Sequence, residues 1–146
     1  MADAYRKQTA LKLRIMENWT PTKTTELALY RLRDKPGHGQ WYLQVAESPG
    51  YGDTGTGSGA AGKPVPVSDS IIENIDTLLR RVAITLEPNT IVGEDGTDYY
   101  LELPGPGVRA KFSWWVHPPD EWQPLEDIVE LLIEQAGPGC SDFTRT

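Results

Sequence analysis

DGTDYYLELPGPGVRAKFSWWVHPPDEWQPLEDIVELLIEQA, residues 95–136, decides the fold. It opens on the turn-forming pair Asp95-Gly96 and continues into an aromatic strand, Tyr99 to Leu103. Pro104-Gly105-Pro106-Gly107 then makes a hairpin-like connection to a second strand, Val108 to Val116, which carries Trp114-Trp115. His117-Pro118-Pro119 ends the pairing. An amphipathic helix follows from about Glu121 to Gln135, with Leu125, Ile128, Val129 and Leu132 on one face, Pro124 in its first turn and Gly137 at its end. Successive side chains of a strand point to opposite sides, so the two adjacent tryptophans occupy opposite faces.

The N-terminal part shows period-two alternation. Leu11, Leu13 and Ile15 alternate with Lys12, Arg14 and Met16 in a strand from Thr9 to Trp19. Strands are also expected over Thr25–Arg33 and Gln40–Glu47, separated by the turn-rich Asp34-Lys35-Pro36-Gly37-His38-Gly39. Residues 48–68, rich in Gly, Pro and Ser, are too poor in large apolar groups to build a core and read as a long mobile loop. Ser70-Ile71-Ile72-Glu73 has the form of a capping box and predicts a helix from Asp69 to Arg81 with Ile71, Ile75, Leu78, Leu79 and Val82 at helical spacing. Val82, Ile84 and Leu86 alternate like a strand that Pro88 cuts short. The fold class expected is α+β: an antiparallel sheet of five to six strands with two amphipathic helices packed on one face. Residues 1–137 form one domain in this reading, and 138–146 a flexible tail.

Composition narrows the function. The chain has 146 residues and a formal net charge of -7, which opposes a phosphate-binding surface of clustered Lys and Arg. No apolar run reaches the roughly 18 residues that a spanning helix requires, and Lys7, Lys12 and Arg14 interrupt any leader-like segment, so a cytoplasmic location is expected. The single cysteine, Cys140, leaves no internal disulfide and no thiolate metal site. No cofactor is expected.

Three constellations bear on chemistry. Gly57 to Lys63 matches the spacing of a phosphate-binding loop, but Pro64 replaces its Ser or Thr and opposes a following helix. Glu94, Asp95 and Asp98 with His117 could serve a small metal-dependent hydrolase, with Asp120 or Glu121 orienting the imidazole, if they converged in one pocket. The third is aromatic. Five tryptophans are many for this length, and a tryptophan on an uncovered sheet face can anchor a partner. The binding residues expected are Trp114, Trp115, Tyr100, Trp41 and Tyr42, set in acidic surroundings.

The pattern of Asp95-Gly96 with Tyr99 and Leu101, the tryptophan strand, and Pro119, Trp122, Pro124 and Leu125 opening a helix resembles small uncharacterised bacterial proteins, some of them similar to immunity factors. That resemblance implies a domain that holds and neutralises a partner protein, and it supplies no catalytic residues. The reading is therefore a non-enzymatic protein-binding domain. Its partner is a protein of basic character, with a homodimer as an open alternative and with neither nucleic acid nor membrane involved. The hydrolase reading is the competitor, and a carbohydrate-binding module rests on the aromatic residues alone.

Overall fold

A computed structural model describes residues 7–17, 23–32, 39–49, 62–86, 96–105 and 109–137. The elements in chain order are β1 (Lys7–Glu17), β2 (Lys23–Leu32), β3 (Trp41–Pro49), β4 (Val65–Val67), α1 (Asp69–Leu79), β5 (Thr97–Leu103), β6 (Ala110–Trp115), a 3-10 turn (Asp120–Trp122) and α2 (Gln123–Ala136). The strands form one six-stranded antiparallel sheet in the order β4-β3-β2-β1-β5-β6. The fold is α+β. The first strand lies inside the sheet, because β1 pairs β2 on one side and β5 on the other.

Apolar alternation dictates the two sides of the sheet. Leu11, Leu13 and Ile15 of β1 stand in register with Leu29, Leu27 and Thr25 of β2, and Leu13 faces Leu101 of β5. Ile75 of α1 and Leu125, Ile128, Val129 and Leu132 of α2 join these side chains in a single apolar cluster. Each fully buried Leu or Ile in such a cluster contributes about 1.5–3 kcal/mol of transfer free energy. This side is the core face. On the other side, here the outer face, Lys12, Arg14, Glu26, Tyr100, Lys111 and Ser113 are exposed.

One irregularity shapes that outer face. Between Thr9 and Leu11 the pairing with β2 shifts, leaving Ala10 as an extra residue opposite the Leu29–Tyr30 step. A bulge of this kind reverses the side on which the preceding residues fall. Lys7, which plain alternation would put with Leu11, is carried to the outer face and lies over the Tyr30 ring, 4.5 Å from its centroid.

Several expectations need correction. Residues 48–68 are not all loop. Ser48 and Pro49 belong to β3, and Val65–Val67 forms the edge strand β4 on Trp41–Leu43. Three residues around a proline carry too little apolar pattern to be recognised inside a Gly/Pro-rich run. Helix α1 starts at Asp69 behind the N-cap Ser68, with no side-chain cap bond. Ser70 thus sits inside the first turn, where it cannot cap, and its Oγ lies 3.0 Å from Ser68 Oγ. The first-turn amides of Ile71 and Ile72 are bonded to the Ser68 carbonyl instead. Residues 82–86 form no strand; Ile84 and Leu86 are exposed. At the far end, α2 stops before Gly137, whose φ of 92° suits a residue without a Cβ. Residues 50–61 and the tail 138–146 lie outside the described residues. No described helix is long and apolar enough to cross a membrane.

Candidate binding face

The outer face is built from rows of cross-strand neighbours, which the register specifies. Glu26, Arg14, Tyr100 and Ser113 follow one another across β2, β1, β5 and β6. Ala28, Lys12, Glu102 and Lys111 make the next row, and Thr24, Met16, Asp98 and Trp115 the one beyond. Charges of opposite sign thus fall side by side, each such pair being worth roughly 0.2–1 kcal/mol. The Lys111 Nζ to Glu102 Oε2 separation is 3.9 Å between exposed groups, a weak contact in water.

Two aromatic clusters stand on this face. In the first, the Arg14 guanidinium lies 5.2 Å from the centroid of the Tyr100 ring, a cation over a π face. Tyr100 is 38% exposed and so offers much of its ring to a partner. In the second, Tyr30 and Tyr42 stack with ring centroids 5.7 Å apart and planes 25° from parallel. Lys7 caps this pair, its Nζ also donating to Gln44 Oε1 at 3.3 Å.

Tyr30 is only 5% exposed although it belongs to the outer face. Burial raises its pKa above the ordinary 10.0, and the neighbouring Tyr42 phenol adds to the effect. An acid whose folded pKa is raised keeps its full contribution to stability below the unfolded value. That contribution is lost as pH climbs from 10.0 through the higher folded value, because the unfolded chain ionises first. Urea midpoints of the native protein are therefore expected to fall between neutral and strongly alkaline pH by more than those of Tyr30→Phe. Equal losses in the two proteins would show that this phenol is not the group responsible.

The expected binding residues divide between the faces. Trp115, Tyr100 and Tyr42 are on the outer face. Trp114 and Trp41 are not: Trp114 is 5% exposed in the core and stacks on Tyr99 at 5.5 Å, and Trp41, half-buried, packs against the core cluster under the Arg31 guanidinium at 5.1 Å. Nor is Trp115 fully solvent-facing. It is half-buried, and its indole edge rests over Gly96, where an added Cβ would meet Nε1 at 2.6 Å. Among the described residues the exposed aromatic of the face is Tyr100.

The acidic surroundings are elsewhere too. Asp69, Glu73, Asp76, Asp120, Glu121, Glu126, Asp127, Glu130 and Glu134 all lie on α1, the 3-10 turn and α2, which hold no lysine or arginine. The described charges of the outer face are Lys7, Lys12, Arg14 and Lys111 against Glu26, Asp98 and Glu102. Sequence reading passed over Arg14 and Lys7 as members of the face. Nothing local joins Arg14 to Tyr100, since only the β1–β5 pairing brings them together.

The groups of the hydrolase reading are not assembled among the described residues. Glu94 and Asp95 lie outside them. His117 is exposed, and its Nδ1 lies 3.2 Å from Glu126 Oε2 on α2, not beside Asp120 or Glu121. Asp98 projects from the outer face opposite Trp115. Among the described residues no three His, Cys, Asp or Glu side chains gather as metal ligands would. Of the glycine-rich loop, Gly62 and Lys63 are described. Gly62 N–H donates to the Val45 carbonyl at 2.7 Å, and the chain runs on into β4, not into a helix.

No protein-family model, no curated protein and no solved structure matches this chain.

Proposed function

We propose that the chain is a non-enzymatic binding domain that holds a protein partner on the outer face of its sheet, in the manner of an immunity protein. The observation that carries this reading is the Arg14–Tyr100 pair, an exposed aromatic ring under a guanidinium on two interior strands of the sheet. Tyr and Arg, with Trp, are the residue types that most often anchor interfaces: Tyr offers a large rigid ring with two torsions to freeze, and Arg a planar, pre-organised fork of donors. Glu26, Lys12, Glu102 and Lys111 surround the pair with both signs of charge, which suits a partner whose own charges alternate. The negative helices would act at longer range, drawing in a basic partner and orienting it.

The test is capture by the immobilised protein from lysate of its source, at low and high salt, with Tyr100→Ala and Arg14→Glu alongside. Both substitutions change exposed side chains, so circular dichroism should be unaltered. The native protein is expected to retain one protein stoichiometrically, less at high salt, and each variant to bind at least about tenfold more weakly, the effect of losing one anchor of about 1.4 kcal/mol or more. Equal retention by both variants would remove the outer face from consideration.

A further inference from the structure

We propose that two copies of this chain associate through β6, pairing it antiparallel with its counterpart about a two-fold axis at Ser113. The argument begins with the direction of the backbone groups. Val116 N–H donates to the Thr97 carbonyl at 2.8 Å, continuing the β5–β6 register. Hydrogen-bonded pairs alternate along an antiparallel ladder, so the amides of Trp114, Phe112 and Ala110 also face β5. Those of Lys111, Ser113 and Trp115 face away from the sheet. Among the described residues the outward side of β6 is met by one bond, from His117 N–H to the Trp115 carbonyl at 2.6 Å.

The two edges of the sheet are unequal. At the other edge, β4 is three residues long and has Pro66 at its centre, which presents no N–H to an incoming strand. Strand β6 is twice that length, has no proline and pairs with β5 without a register shift. It ends where Val116 takes a φ of 62°, a strained value for a β-branched residue that turns the chain off the ladder.

Self-complementarity then selects the occupant. With the axis at Ser113, Lys111 faces Trp115 of the second copy on the outer face, a cation beside an indole. On the core face Phe112 falls opposite Trp114 of the second copy, and since both are already buried in their own chain, at 8% and 5% exposure, the contact that selects this register is the one on the outer face. An axis at Lys111 would instead oppose two lysines, which is unfavourable. Antiparallel pairing about an axis perpendicular to the sheet keeps the outer faces of both copies on one side, so the two Tyr100 rings would share a continuous surface. The interface is short, which places the association among weak, concentration-dependent dimers.

Sedimentation of the full chain from low micromolar to near-millimolar concentration is expected to show the apparent mass rising toward double. Ser113→Pro removes only an outward amide, so its circular dichroism and Tm should be retained while the rise in mass is lost. In a Cys140→Ser background, Ser113→Cys is expected to form an intermolecular disulfide on mild oxidation. The facing Cα atoms of a hydrogen-bonded pair are about 5.5 Å apart, within disulfide range. Lys111→Cys in the same background should not crosslink, its two copies being offset by about 13 Å along the strands. A monomer at every concentration, a dimer undiminished in folded Ser113→Pro, or equal crosslinking at the two positions would each overturn the proposal.

Discussion

Trp114→Ala is expected to destabilise the protein by about 3–5 kcal/mol, the range for deleting a large aromatic from a packed core, and Trp115→Ala by about 1–2 kcal/mol, since a half-buried side chain has less apolar area to lose. The two residues are neighbours in sequence and identical in chemistry. What separates them is the pleat. Trp114 points into the core at 5% exposure and stacks on Tyr99 with planes 15° apart, an arrangement worth up to about 1.5 kcal/mol beyond area alone. Trp115 points to the outer face. Urea unfolding provides the measurement: a large fall in midpoint at unchanged slope for Trp114→Ala, and a small one for Trp115→Ala.

A companion substitution refines this expectation. Trp114 Nε1 is buried and has no hydrogen-bond partner among the described residues, and an unsatisfied buried donor costs about 1–3 kcal/mol. Trp114→Phe keeps most of the ring and removes that donor. Its cost is expected to stay below about 1.5 kcal/mol, the range for swaps that nearly conserve volume. Should Trp114→Phe prove as damaging as Trp114→Ala, the indole N–H would have to be satisfied after all. Should Trp115→Ala match Trp114→Ala, the assignment of faces would be wrong.

The contrast also shows what a single sequence discloses. Alternation reports which residues share a face, because it reflects local backbone geometry. Hence Leu11, Leu13 and Ile15 could be separated from Lys12 and Arg14, and Trp114 from Trp115, before any coordinates. Which strand lies beside which is a property of distant pairings. Nothing near Lys12 or Arg14 announces β5 as a neighbour, so the Arg14–Tyr100 contact was invisible. The extra residue at Ala10 was equally hidden, and it moved Lys7 across the sheet against simple alternation. Net charge misled for a related reason: it sums over the chain, whereas among the described residues nine of the fourteen acids lie on α1, the 3-10 turn and α2 and leave a face of mixed sign behind. Strand β4 was missed because its pairing with Trp41–Leu43, not its own composition, makes Val65–Val67 a strand.

Gly96→Ala is expected to cost about 2–4 kcal/mol, and the reason can be divided by experiment. Gly96 has φ of 142°, a conformation that residues with a Cβ rarely adopt, and holding one there costs about 1–3 kcal/mol. The added methyl would also lie 2.6 Å from Trp115 Nε1 and 3.0 Å from both Trp115 Cε2 and Val116 Cγ2. Displacing a packed indole costs about 1–3 kcal/mol more. In a Trp115→Ala background the indole is gone while the backbone strain remains. Gly96→Ala should then cost only the backbone share of about 1–3 kcal/mol, leaving a coupling of about 1 kcal/mol between the sites, as expected for residues in contact. The same cost in both backgrounds would locate the whole effect in the backbone and detach Trp115 from Gly96. A measured coupling would mean that this glycine is the seat of the tryptophan, and that the shape of the outer face beside Tyr100 depends on a residue with no side chain of its own.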